Sequence, residues 1–160
     1  DMGMVKADGS LMVDTFRRVG YTSDTNVAMV HLLREFAAAE GSCGGEGTNA
    51  KELLALATTV EQAVNTLLWA GDHYVTSVGD RGEVTADFVD YDSNLMAVAF
   101  GVAAAGGGSG RERAVLERVD QNPLAISVPT WMSERLYEGE DSRPKGGTGD
   151  SICGMGRVAW

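Results

Sequence analysis

Two segments of this chain are apolar around nearly the whole of a helical turn, and that limits what it can fold into. Residues 95–105 carry no polar side chain, and residues 27–33 are interrupted only by His31. A helix of that kind has to be covered on every side. Each segment is followed by one that is polar on one face. From about Asn49 to Trp69, Leu53, Leu56, Ala57, Val60, Val64, Leu67 and Leu68 fall on one helical face, with Lys51, Glu52, Glu61, Gln62 and Asn65 opposite. From about Arg111 to Asp120, Ala114, Val115, Leu116 and Val119 form the apolar side.

Glycines punctuate this alternation. The chain has 21 in 160 residues, about twice the usual share of ~7%. They cluster at 41–47, 106–110 and 146–156, between the apolar segments, where helices stop. The first helix is predicted to start at Thr22-Ser23-Asp24, a run of capping residues, and to end before Gly41. The third is predicted to start near Asp92-Ser93-Asn94 and to run unbroken to Ala105. Between the second and third, residues 74–78 and 84–89 flank Gly79-Asp80-Arg81-Gly82, a turn signal that predicts one short β-hairpin. After Asn122-Pro123 no regular pattern returns until Gly149-Asp150-Ser151, which opens a last apolar segment, 152–160. The expected class is therefore mainly all-α, built of helical hairpins with one inner and one outer member. Such hairpins build an α/α toroid, and a small bundle with very apolar central helices satisfies the pattern equally well.

Composition removes several functions. Thirteen Lys and Arg against 23 Asp and Glu give a net charge of −10, which disfavours a nucleic-acid binder, whose affinity rests on cations that displace counterions. No run reaches the roughly 18 apolar residues of a membrane span. Cys43 and Cys153 cannot form a disulfide-dense scaffold or a four-cysteine zinc site. A free thiol and a single bridge both stay open for them. His31, in the apolar helix, reads as a core histidine with one hydrogen bond. Neither it nor His73 has a partner at metal-ligand spacing. Gly146-Gly147-Thr148-Gly149-Asp150-Ser151 resembles a phosphate cradle but lacks the Gly-Lys-Ser/Thr ending, and Asp150 would repel phosphate. No cofactor is expected. The chain opens at Asp1 with no targeting pattern, and the expectation is a piece of something longer.

Four stretches carry a resemblance: Phe16-Arg17-Arg18-Val19-Gly20-Tyr21-Thr22-Ser23-Asp24-Thr25-Asn26, Leu68-Trp69-Ala70-Gly71-Asp72-His73-Tyr74, Asp87-Phe88-Val89-Asp90-Tyr91-Asp92-Ser93-Asn94-Leu95 and Gly147-Thr148-Gly149-Asp150-Ser151. Together they resemble the six-hairpin glycosidase superfamily, whose catalytic domain is an (α/α)6 toroid. A complete toroid needs far more helices than this chain holds. The resemblance therefore implies a fragment, or a subunit that pairs with the rest of the ring or with further copies of itself.

The resemblance also implies a substrate cleft at the rim where the inner helices begin. Their expected starts are Asp24, the Asp90 and Asp92 pair, and Asp150. Glycoside hydrolysis needs one carboxyl to protonate the leaving oxygen and another to activate water or attack, an inverting pair standing roughly 6.5–9.5 Å apart. Asp90, Asp92, Asp24 and Glu134 are the catalytic candidates. Repulsion between Asp90 and Asp92 would suit one of them to act as the acid. Aspartate is equally a favoured N-cap, so a purely capping role stays open for Asp24 and Asp150. Trp131 and Tyr91 are candidate sugar platforms, with Tyr21 and Tyr137 in reserve, whereas Trp69 closes an apolar face and reads as core. Arg17, Arg18 and Asp150 are candidate ligands for sugar hydroxyls. The leading function is hydrolysis of a neutral glycan. A lyase or epimerase of the same fold, using Arg17, Arg18 and Lys145 on a uronate, is the alternative within the fold. A non-catalytic helical interaction module is the alternative outside it.

Overall fold

The computed structural model describes residues 2–12, 16–42, 48–87, 89–105 and 109–121. The elements are β1 (Ala7–Met12), β2 (Phe16–Thr22), α1 (Ser23–Ser42), α2 (Thr48–Leu67), β3 (Ser77–Val78), β4 (Val84–Ala86), α3 (Tyr91–Ala99), α4 (Val102–Ala105) and α5 (Ser109–Asp120). The class is mainly helical with a short β-hairpin, as the periodicity predicts. Helix α1 packs on α2, α3 and α4 pack on α5, and the α1–α3 contact joins the two hairpins. Val27, Val30 and Leu33 of α1 meet Ala57, Val60 and Val64 of α2, together with Leu68, Tyr74, Ala97, Val102 and Val115, in one buried cluster.

The structure departs from the sequence pattern in four places. The sheet has four antiparallel strands in the order β1-β2-β3-β4, so β1 and β2 extend the expected hairpin β3–β4. Strand β2 is held by pairing with a distant segment, Tyr21 with Val78 and Thr22 with Ser77. Gly20 makes that approach possible: its φ is +98°, and a β-carbon there would collide with the Val78 carbonyl oxygen.

The third predicted helix is two. Gly101, at φ +72°, ends α3 after Phe100, and α4 starts again at Val102. The carbonyl of Phe100 accepts a hydrogen bond from Arg34 of α1 at 3.0 Å, so the break leaves that acceptor satisfied. Leu56, assigned above to the buried face of α2, is 51% exposed. The buried stripe is narrower and runs through Ala57, Val60 and Val64.

The fourth departure is in α1 and α3, which are not covered on every side. Leu32 is 48%, Phe36 59% and Leu95 38% exposed. Met29, Leu32, Met96 and Phe100 line a groove of about 500 Å³ between these helices, with Thr25 at one end. His31 is a groove residue rather than a core one: it stacks on Phe100, ring centroids 4.0 Å apart and planes 6° apart, and lies 3.9 Å from Glu35. Among the described residues no helix is long and apolar enough to cross a membrane.

Helices α1 and α3 begin with the same device. In α1, the Asn26 side-chain amide donates to the carbonyls of Val5 (3.0 Å) and Thr22 (2.9 Å), and its oxygen accepts from the N–H of Val5 (2.7 Å). In α3, the Asn94 amide donates to the carbonyls of Tyr74 (3.1 Å) and Asp90 (2.8 Å), and its oxygen accepts from the N–H of Tyr74 (2.7 Å). Asp24-Thr25-Asn26 and Asp92-Ser93-Asn94 are thus structural equivalents. Each asparagine clamps an extended segment to the first turn of its helix. Truncating Asn94 strands buried groups on both sides of Tyr74, so Asn94→Ala should cost about 3 kcal/mol, and Asn26→Ala, whose partner segment is more exposed, about half of that. Urea unfolding of the two variants measures both losses.

Candidate functional site

The starts of α1 and α3 are held to one stretch of chain. The N–H of Ser23 donates to the Thr76 carbonyl at 3.0 Å, while Asn94 grips the backbone of Tyr74 on both sides. Two residues of chain reach no more than about 7 Å, so the first turns of the two helices share one rim. On that rim lie Asp24, buried in the first turn of α1, and Asp92, half-buried in the first turn of α3. Asp90, fully buried, stands just before α3, and Tyr91, also buried, is its first residue.

The capping role does not account for Asp90. It occupies the N-cap position of α3 with φ −63° and ψ 119°, yet its side chain makes no capping hydrogen bond. Its main-chain carbonyl accepts from Ser93 Oγ (3.2 Å), Asn94 Nδ2 (2.8 Å) and Asn94 N–H (3.2 Å). Asp24 lies one residue inside α1 rather than before it, where its charge meets the positive end of the helix dipole.

Of the other candidates, Arg17 and Arg18 are on β2, paired with Leu11 and Ser10 of β1. Trp69 is packed rather than offered to a ligand. Tyr74 meets it edge-on with ring centroids 5.0 Å apart, and the Arg111 guanidinium sits over its ring at 4.9 Å. Tyr21 packs against the core. Trp131, Glu134 and Asp150 lie outside the described residues, as do Tyr137, Lys145, Cys43, Cys153 and the segment 152–160.

A cluster around His73, near this rim, has little signature in the sequence. His73, 8% exposed, has Asp72 Oδ1 2.5 Å from Nδ1 and both oxygens of Asp87 within 3.1 Å of Nε2. A neutral imidazole donates from one nitrogen only, and here both nitrogens face carboxylates, an arrangement that favours the doubly protonated cation. The Asp87 hydrogen bond raises the His73 pKa above its ordinary 6.5; burial opposes it, and Asp72 adds to it. For Asp87, burial pushes the carboxyl up, but the hydrogen bond and charge of His73 outweigh it and hold the group below its ordinary 3.8. Arg118 of α5 reaches the far oxygen of Asp72 at 3.2 Å. The available signal was the Asp72-His73 pair itself; its third member lies fourteen residues further on. Among the described residues no group of three or more His, Cys, Asp or Glu is arranged to hold a metal ion.

Between Asp87 and Asp90 the backbone is strained. Val89 is buried and has φ +49°, a left-handed conformation that a β-branched residue adopts only under constraint. Its N–H points to Asp87 Oδ1 at 3.4 Å.

No known family pattern matches the chain. The chain is 30% identical over 113 residues to a solabiose phosphorylase of Paenibacillus borealis, a carbohydrate-active enzyme; the match covers 66% of this chain and 15% of that protein.

The His73 cluster has a defined pH signature. Because its folded-state pKa is raised, His73 contributes stability that is full below about 6.5 and lost as pH rises through the raised value. Asp87, with its depressed pKa, contributes stability present above about 3.8 and lost as pH falls through the lowered value. Thermal melts of the wild type should fall from mildly acidic to mildly alkaline pH, and His73→Gln should remove that slope.

Proposed function

We propose that this chain is part of an α/α-toroid catalytic domain that cleaves a neutral glycoside by carboxylate acid catalysis. The observation that carries the reading is the shared rim. Two inner helices begin with the same Asp-Thr/Ser-Asn device, are fixed to one stretch of chain, and bring Asp24, Asp90 and Asp92 to one end of the fold. We assign the general acid to Asp90, whose side chain makes no capping hydrogen bond. Asp92, half-buried in the first turn of α3, is the second carboxylate of this reading. The exposed Leu32, Phe36 and Leu95 are positions that the rest of a ring, or a further copy, would cover.

In the reaction the acid gives its proton to the glycosidic oxygen as the bond from that oxygen to the anomeric carbon breaks. A new bond forms from that carbon to the incoming oxygen. Water makes the reaction hydrolysis, with a second carboxylate taking its proton. Inorganic phosphate makes it phosphorolysis, the reading that similarity to a phosphorylase supports. Since the match covers 15% of that relative, the donor sugar is open to a screen. Incubating the protein with a panel of neutral disaccharides, with and without inorganic phosphate, separates the two: free reducing sugar alone means hydrolysis, and sugar phosphate means phosphorolysis. Asp90→Asn should lower turnover by about 10²–10⁴-fold, with the fold intact by circular dichroism. Full activity in both Asp90→Asn and Asp92→Asn would end this reading.

A further inference from the structure

We propose that His73 is a positioning residue: through Asp87 it holds Val89, and with it the orientation of the neighbouring Asp90 carboxylate. This rests on the reading of Asp90 as a carboxylate of the site.

The argument is geometric. Asp87 and Asp90 are each held by one of two adjacent residues. The His73 ring holds both oxygens of Asp87. The Tyr74 backbone holds Asn94, whose amide also binds the Asp90 carbonyl. Between the clamps sits Val89, at φ +49° with its N–H directed to Asp87 Oδ1. A strained residue persists only where its surroundings over-determine it, and these two clamps supply that. The Asn94 clamp binds the main chain of Asp90, and Asp87 binds the N–H of Val89, the residue before it. His73 is itself fixed from its other side by Asp72, which Arg118 holds at 3.2 Å. The charged groups facing the imidazole are therefore Asp72, from the turn after α2, and Asp87, after β4, with Arg118 of α5 behind Asp72. Losing the imidazole proton breaks one of the two carboxylate contacts, so the Asp90 orientation becomes dependent on pH.

The test follows the Asp90 carboxyl directly by carbon-13 NMR of the full chain, with Asp90→Asn assigning the signal. His73→Gln and the milder Asp87→Asn should each shift the Asp90 carboxyl signal or split it. The double variant should do no more than either single change, and the amide signals of Val60 and Val64 in α2 should stay in place. An unchanged Asp90 signal in both variants would overturn the proposal, and if His73→Gln fails to fold, Asp87→Asn decides alone. On a disaccharide that the wild type turns over, His73→Gln should lower kcat by about 10- to 100-fold with KM little changed, and should abolish the alkaline limb of the pH profile. A stability loss with kcat and that limb intact would mean a merely structural role, and would also overturn it. If Asp90→Asn leaves turnover whole, the assignment of Asp90 as the acid fails, while the NMR result still decides whether His73 positions Asp90.

Discussion

Two buried asparagine amides set the geometry on which the rest of the structure depends. An amide side chain offers two donors and an acceptor, and Asn26 and Asn94 each use all of them on backbone groups. Each replaces, at a helix start, hydrogen bonds that an extended segment would otherwise take from a sheet partner or from water. No other side chain of that length satisfies an N–H and a C=O of the same residue while reaching back to its own helix. The direction in which α1 and α3 leave the sheet, and so the contact between them, follows from that. The aspartate two residues before each asparagine is carried to the same place in both helices.

Much of the helical part was legible from the chain. Helices α1, α2 and α5 begin and end within a few residues of where capping residues and glycines put them. Periodicity works there because each helix has neighbours that bury one stripe. It failed at Gly101, where an uninterrupted apolar run hid a left-handed residue. The carbonyl freed by that break is satisfied by Arg34, 66 residues away, and no local pattern announces such a partner. It failed also at β1 and β2, since paired arginines interrupt the alternation and the register comes from β3.

The site divides in the same way. Asp24, Asp90 and Asp92 could be picked out because acidic residues at helix starts are visible in one dimension. The distinction between capping and other roles was not visible, because it depends on side-chain direction. His73 was passed over for a related reason. Its character comes from two carboxylates, and while Asp72 is its neighbour in the chain, nothing local gives a sign of Asp87. Val89 shows the limit most clearly: nothing in the residue suggests a positive φ, which only its flanking contacts impose.

Arg34 has one further consequence. Its guanidinium binds Glu61 of α2 at 2.5 Å and the Phe100 carbonyl at the end of α3, so a single side chain of α1 is shared by both hairpins. Separating the hairpins would keep the Arg34–Glu61 pair but take from that half-buried cation its second partner, and from the Phe100 carbonyl its donor. The two hairpins resemble tandem modules in sequence, yet they are not independent cooperative units. Amide protons in α2 and α4 should therefore exchange through one common opening, as in a single foldon rather than a stack of repeats.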